Sequence, residues 1–254
     1  AVSSGSIEMG VASLTRFAGT IPAVDFFYVP FSLPTLDAVR AATAPDGKVR
    51  GLLDDAILET GARVLWWQAV GGAVFMSDKE LRLPSDVEGM KVRVFGKTLG
   101  DFVELLGGAP ALISGSEQFL AYQRGTVDAG MSSAAGVKSR KIYEVLDYMT
   151  VTNHATVEFV VLINEGVWQG LTDAEREIVT SAGQQVEAAL RDAIIQKDLD
   201  AIEFVRSETE MEVIELSDEE LAAWKEAAAP MIESYIENAG ELGKKVVEAA
   251  EELQ

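Results

Sequence analysis

Cysteine is absent from this 254-residue chain, and His154 is its single histidine. Without thiols there is no disulfide framework, no thiolate metal site and no cysteine nucleophile. One imidazole excludes a multi-histidine metal centre and leaves little for a Ser-His-Asp triad. Positive charge is also scarce: 21 Lys and Arg stand against 41 Asp and Glu, a formal net charge of −20. Such a chain is repelled by phosphate backbones and by anionic membranes, so no nucleic-acid partner is expected. The acid concentrates in the C-terminal helices, where it reads as a solvated face. No apolar run approaches the roughly 20 residues of a membrane span. Walker loops, dinucleotide fingerprints, HExxH and GxSxG are all missing, so neither cofactor nor metal is expected.

What is present has the rhythm of an α/β protein, and the length suits one large domain or two modest lobes. "VRGLLDDAILETG" puts Leu52, Leu53, Ala56 and Ile57 on one helical face and ends at Gly61. "ARVLWW" follows as a strand. The alternation continues through a helix at 97–106, a strand at 109–113, a helix at 116–124 and a strand at 126–131. It predicts parallel sheet, with ligands bound beyond the carboxyl ends of the strands, where Gly96, Gly115 and "MSSAAG" gather. The apolar "VEFVVLI" at 157–163 predicts a central, buried strand. After it, Thr172 and Glu175 form a capping box that opens an apolar stripe running from Ile178 past Ile202. A helix of that length, about 50 Å, is longer than one lobe and must span two. Ser217 and Glu220 start another helix after the strand-like "MEVIEL", and Pro230 interrupts it.

The residue that calls for an explanation is Arg93, set between Val92 and Val94 in the short strand "KVRVF". A guanidinium keeps its charge, so it must face water, a carboxylate or an anion from outside. The composition offers many structural partners for it. His154 reads as a hydrogen-bonded structural residue. Trp66 and Trp67, consecutive on a strand, point to opposite faces; one belongs in the core and the other borders a cleft. Carboxylates are abundant, but none forms a recognisable acid/base pair. An enzyme would have to work with carboxylates, lysines and serines alone.

"GSIEMGVAS", "VDFFYVPF", "PSDVEGMKVRVFG", "LGGAPALISGSEQFLAYQRGTVDAGMSS", "YMTVTNH" and "FVVLINEGVWQGL", in this order, resemble the DctP-type substrate-binding proteins of TRAP transporters over essentially the whole chain. The resemblance implies a two-lobed periplasmic-binding-protein fold with hinge strands and a long helix crossing both lobes. By the family's pattern, one lobe comprises 1–70 with 159–198 and the other 71–158 with 199–254. It also implies a non-enzymatic, monomeric receptor in the periplasm, exported by a signal peptide that this chain does not include. Such a receptor closes on a small organic anion and delivers it to the TRAP permease membrane subunits. An orphan protein presenting its ligand to a sensor kinase is the alternative. The family normally carries a further strand and helix ahead of "GSIEMG", which implies a natural protein longer at its N-terminus.

The family's carboxylate-binding arginine falls at Arg93. Where sialic-acid-binding members have an asparagine, a glutamate, a second arginine and an aromatic residue, this chain has Ser132, Ser13, Ala73 and Gly115. Those replacements imply a compact monocarboxylate, or a sulfonate, resting on Trp67 or Phe159, with Lys97 as a possible second charge.

Overall fold

The computed structural model describes residues 1–33 and 35–253. The strands are β1 (Met9–Ser13), β2 (Ala62–Ser77), β3 (Lys91–Val94), β4 (Ala109–Leu112), β5 (Ala129–Ser133), β6 (Tyr148–Val151), β7 (Thr156–Asn164) and β8 (Glu212–Glu215). The helices are α1 (Leu36–Thr43), α2 (Lys48–Leu58), α3 (Lys97–Leu105), α4 (Gln118–Gln123), α5 (Ala134–Ser139), α6 (Glu165–Gly170), α7 (Asp173–Glu208), α8 (Asp218–Ala228) and α9 (Met231–Glu251).

One strand belongs to both halves of the molecule. From Ala62 to Gly72, β2 runs antiparallel to β7, whose other edge carries β1. From Ala73 onward the same strand pairs with β5, and from Phe75 with β6 on its other side. β3 then lies parallel between β5 and β4, and β8 parallel to β6. The sheet is therefore mixed. The parallel arrangement expected from helix–strand alternation holds for β5–β3–β4 and β6–β8, whereas every partner of β2 is antiparallel. Sequence spacing reveals the crossover helices but not a long strand that both halves share. β7 lies between β1 and β2, as its apolar run requires. β5 begins three residues later than its sequence suggests; Asp128, just before it, is tied to the start of β3, its Oδ2 accepting the Lys91 N–H at 2.8 Å.

α7 supplies the second connection. Its 36 residues measure about 54 Å at 1.5 Å per residue. Thr172 and Glu175 cap it reciprocally, Thr172 N donating to Glu175 Oε2 at 2.7 Å and Glu175 N to Thr172 Oγ1 at 3.3 Å. Glu187 accepts the Trp67 N–H at 3.2 Å beside the first sheet, while Ala201 and Val205 are buried in the apolar cluster beneath β6.

The last two helices part company. α8 stays with the second half, where Trp224 Nε1 donates to Arg82 O at 2.8 Å and the indole packs on Phe75 and Phe102. α9 does not: Tyr235 donates its hydroxyl to Ala23 O at 2.8 Å, its ring meets Phe26, and Glu252 just beyond the helix pairs with Lys48 of α2. Past Pro230 the chain leaves α8, and the apolar face of α9 finds its complement in the N-terminal aromatic segment. His154 is fully buried against Phe75, with Nδ1 2.7 Å from Thr152 Oγ1, and burial lowers its pKa to about 3. It is a neutral core residue at physiological pH.

Candidate functional site

The site begins with the neighbours of Arg93. In the β3 register Arg93 lies between Ala111 of β4 and Gly130 of β5, two residues small enough to leave room for a guanidinium on that face. The Tyr122 hydroxyl fills the space over Gly130, where a β-carbon would sit 1.9 Å from its oxygen. Arg93 is 3% exposed; its Nε donates to Ile113 O at 2.8 Å and its Nη1 to Met131 O at 2.6 Å, with the guanidinium carbon 5.3 Å from the Phe95 ring centre. Both anchors are neutral carbonyls. Among the described residues no carboxylate reaches ion-pair distance, and Nη2 makes no hydrogen bond. Burial lowers the Arg93 pKa to about 10; the Tyr122 phenol opposes the shift and the positive charge of Arg140 adds to it. The group is still a cation at neutral pH, held in a fixed orientation and lacking a counterion.

Ser132 and Gly115 join this group. Ser132, near the end of β5, is 6% exposed, and its hydroxyl has no hydrogen-bond partner among the described residues. Gly115 lies in the turn after β4. Arg93, Gly115 and Ser132 thus stand toward the carboxyl ends of β3, β4 and β5.

Ser13 and Phe159 lie across from them on the first sheet. They are directly paired on β1 and β7, and Phe159 is also paired with Gln68 of β2, so the three residues share one face. Ser13 Oγ lies 3.0 Å from Thr15 Oγ1, which donates to Phe95 O at 3.2 Å. That chain of contacts carries the first sheet to the residue two beyond Arg93.

Two expected site residues are elsewhere. Trp67 is fully buried on the opposite face: its Nε1 donates to Asp54 Oδ1 at 2.8 Å, its ring meets Phe27 edge-on, and Arg50 stands 5.9 Å from the ring centre. Strand parity explains the miss, because the face of Phe159 belongs to Gln68 and not to its neighbour. Trp66 packs against Gly183 of α7. Lys97, at the start of α3, is 66% exposed and pairs with Asp101 one turn later at 2.5 Å, so it is a solvated helix-end residue. Gln68, half-buried with no hydrogen bond to another described residue, and Arg140, discussed below, were missed; Gln68 was within reach of a strict period-2 reading of β2.

A separate groove of about 470 Å³ lies between residues 26–33, Thr152–Asn153 and helices α8 and α9. It contains Lys225 but none of the candidate residues, and its walls are largely apolar.

Comparison with known proteins agrees with this architecture. The chain is 26% identical over 240 residues to the sialic acid-binding periplasmic protein SiaP of Vibrio cholerae, covering 93% of this chain and 73% of that one. It is likewise 26% identical over 253 residues to the C4-dicarboxylate-binding periplasmic protein DctP of Rhodobacter capsulatus, covering 98% and 75%. A TRAP periplasmic solute binding protein from Desulfovibrio salexigens, solved with bound orotic acid, superposes with a TM-score of 0.91 at 26% identity over 99% of this chain and 81% of that one. The DctP model, bacterial extracellular solute-binding protein family 7, matches residues 1–238. With its shared strand, its helix spanning both halves and its buried, unpaired arginine, the chain belongs to the DctP family of bacterial extracellular solute-binding proteins, family 7.

Proposed function

We propose that this receptor takes a small organic acid into the cleft between its halves, with the acid's carboxylate on Arg93, and delivers it to the membrane subunits of a TRAP permease. The observation that carries the reading is the state of Arg93: 97% removed from solvent, oriented by two backbone carbonyls and without an anionic partner among the described residues, in a chain that has 41 Asp and Glu. An incoming carboxylate accepts charge-assisted bonds from its unused N–H groups and supplies the missing counterion. Ser132 offers a hydroxyl beside it, and Ser13, Gln68 and Phe159 form the facing wall. Sialic acid, orotic acid and C4-dicarboxylates in the relatives are all acids, which favours the same ligand chemistry here.

The two lobes divide at Gly71–Gly72 in β2, at the loop before β7 and within α7, with α9 on the first lobe. Ligand bridging Arg93 and the Ser13 face favours the closed arrangement, so closure is a population shift driven by contacts made only when both walls meet. The receptor acts as a monomer in the periplasm. Presentation to a sensor kinase is the less favoured role, since the relatives are described with TRAP transport.

A thermal-shift screen against organic acids tests this. A ligand at about 100 times its dissociation constant adds roughly 2.7 kcal/mol. The wild type should gain stability with one class of acids, and Arg93→Gln and Arg93→Lys should lose that gain while remaining folded. Equal responses in wild type and both variants would reject Arg93 as the carboxylate site.

A further inference from the structure

Arg140 is the C-terminal neighbour of the short helix α5; its backbone N–H closes that helix on Gly136 O at 3.1 Å, but its guanidinium has no ion pair or hydrogen bond to any other described residue. Helical side chains lean back toward the preceding turn, and Arg140 does so over Gly136, four residues earlier. A β-carbon at Gly136 would lie 2.7 Å from Arg140 Nη1 and 2.4 Å from Ser132 Oγ. On the other side, a β-carbon at Gly115 would lie 3.3 Å from Arg140 Nη2. The guanidinium therefore occupies the gap between two glycines, against the free hydroxyl of Ser132, and close enough to Arg93 for its charge to be felt there. Two cations thus converge in a strongly acidic protein, and neither is paired with a carboxylate among the described residues. The sequence comparison, which found Ala73 where a second arginine stands in sialic-acid-binding members, pointed to a ligand with one acidic group. The structure supplies a second guanidinium from a different element.

We propose that Arg140 is a specificity-determining residue that binds a second acidic group of the ligand, making this a receptor for short dianionic acids. The inference rests on Arg93 being the carboxylate site. Gly115 and Gly136 are what admit it: any side chain at either position would contend for the space that the Arg140 guanidinium fills. Ser132 then donates its hydroxyl between the two acidic groups.

The test uses matched pairs of acids that differ only in the second carboxylate: butyrate and succinate, valerate and glutarate, benzoate and phthalate. Each is titrated calorimetrically into wild type, Arg140→Gln and Arg93→Gln. The expected result is that wild type prefers at least one diacid to its monoacid by about tenfold or more. Arg140→Gln should abolish that preference while keeping the monoacid affinity, and Arg93→Gln should lose both acids. If no diacid is preferred by wild type, or if Arg140→Gln retains the preference, the inference is overturned while the Arg93 reading stands. If Arg93→Gln binds both acids as wild type does, the Arg93 reading falls. Because Arg140 is exposed, its replacement disturbs no core contact, and an unchanged melting temperature of the unliganded variant checks this.

Discussion

Asp198 of α7 accepts the N–H of Gly72 at 3.0 Å, pinning the long helix to β2 at the residue where that strand leaves the first sheet for the second. Its other oxygen accepts the Ala135 N–H at 3.2 Å, on the helix that Arg140 follows. One carboxylate therefore joins the crossing helix, the shared strand and the second half. Burial raises its pKa while the two amide donors oppose the shift. Asp198→Ala leaves both amides without an acceptor, and the expected cost is about 1–3 kcal/mol by urea denaturation. Removing this tie should also change the rate of ligand-induced closure by stopped-flow fluorescence; an unchanged rate would mean that the contact is purely structural.

Gly71 adopts φ 117°, which L-residues rarely take, and a β-carbon there would lie 2.0 Å from Asp198 Oδ2. Gly71→Ala should destabilise the protein by more than the roughly 1 kcal/mol of an ordinary Gly-to-Ala change at a strained position. The combined Gly71→Ala, Asp198→Ala protein should lose less than the sum of the single losses, because the clash disappears with the carboxylate. Simple additivity in denaturation midpoints would show that the dihedral, and not the contact, is what matters.

Glu158 is fully buried, and neither side-chain oxygen has a hydrogen-bond partner among the described residues. Burial pushes its pKa up to about 8; Arg191 and Arg50 oppose this and Glu187 reinforces it. An unfolded glutamate releases its proton near 4.5, so between about 4.5 and about 8 the folded chain holds a proton that the unfolded chain has lost. This contribution to stability is complete below about 4.5 and is lost as the pH rises through about 8, at about 1.4 kcal/mol per pH unit within the window. Glu158→Gln should flatten the fall between about pH 4.5 and about pH 8 in urea titrations. A slope as steep as that of wild type would place its origin elsewhere. His154 acts with the opposite sign: its pKa is lowered from 6.5 to about 3, so its contribution is present above 6.5 and lost as the pH falls through about 3.

Beneath the first sheet, Glu187 is 3% exposed and pairs with Arg50 and Arg191 while accepting the Trp67 N–H. Glu187→Ala removes the shared anion and leaves two guanidiniums without it, which predicts a loss of about 3–5 kcal/mol. Arg191 is the less buried of the two cations, so Arg191→Gln should cost less. Equal midpoints for the two variants would contradict this ranking.

Much of the fold was legible in the chain. Periodicity marked α2, α3 and α4, the capping pairs Thr172–Glu175 and Ser217–Glu220 marked the starts of α7 and α8, and the uniform apolar run marked β7 as interior. These signals are local: they depend on residues within one or two turns of each other. The ordered motifs carried the family and the position of Arg93 for the same reason. What the sequence could not decide was which remote surfaces meet. The antiparallel partners of β2, the return of α9 to the N-terminal aromatic segment and the burial of Trp67 on Asp54 all depend on contacts far apart in the chain. So does the surrounding of Arg140: nothing local in the sequence singles it out, and only the folding of α5 against the turn that holds Gly115 sets its guanidinium beside Ser132. Local chemistry marked Arg93 as a cation in need of a partner; the packing of small residues decided which other side chain comes near it, because space for a side chain is a property of its neighbours.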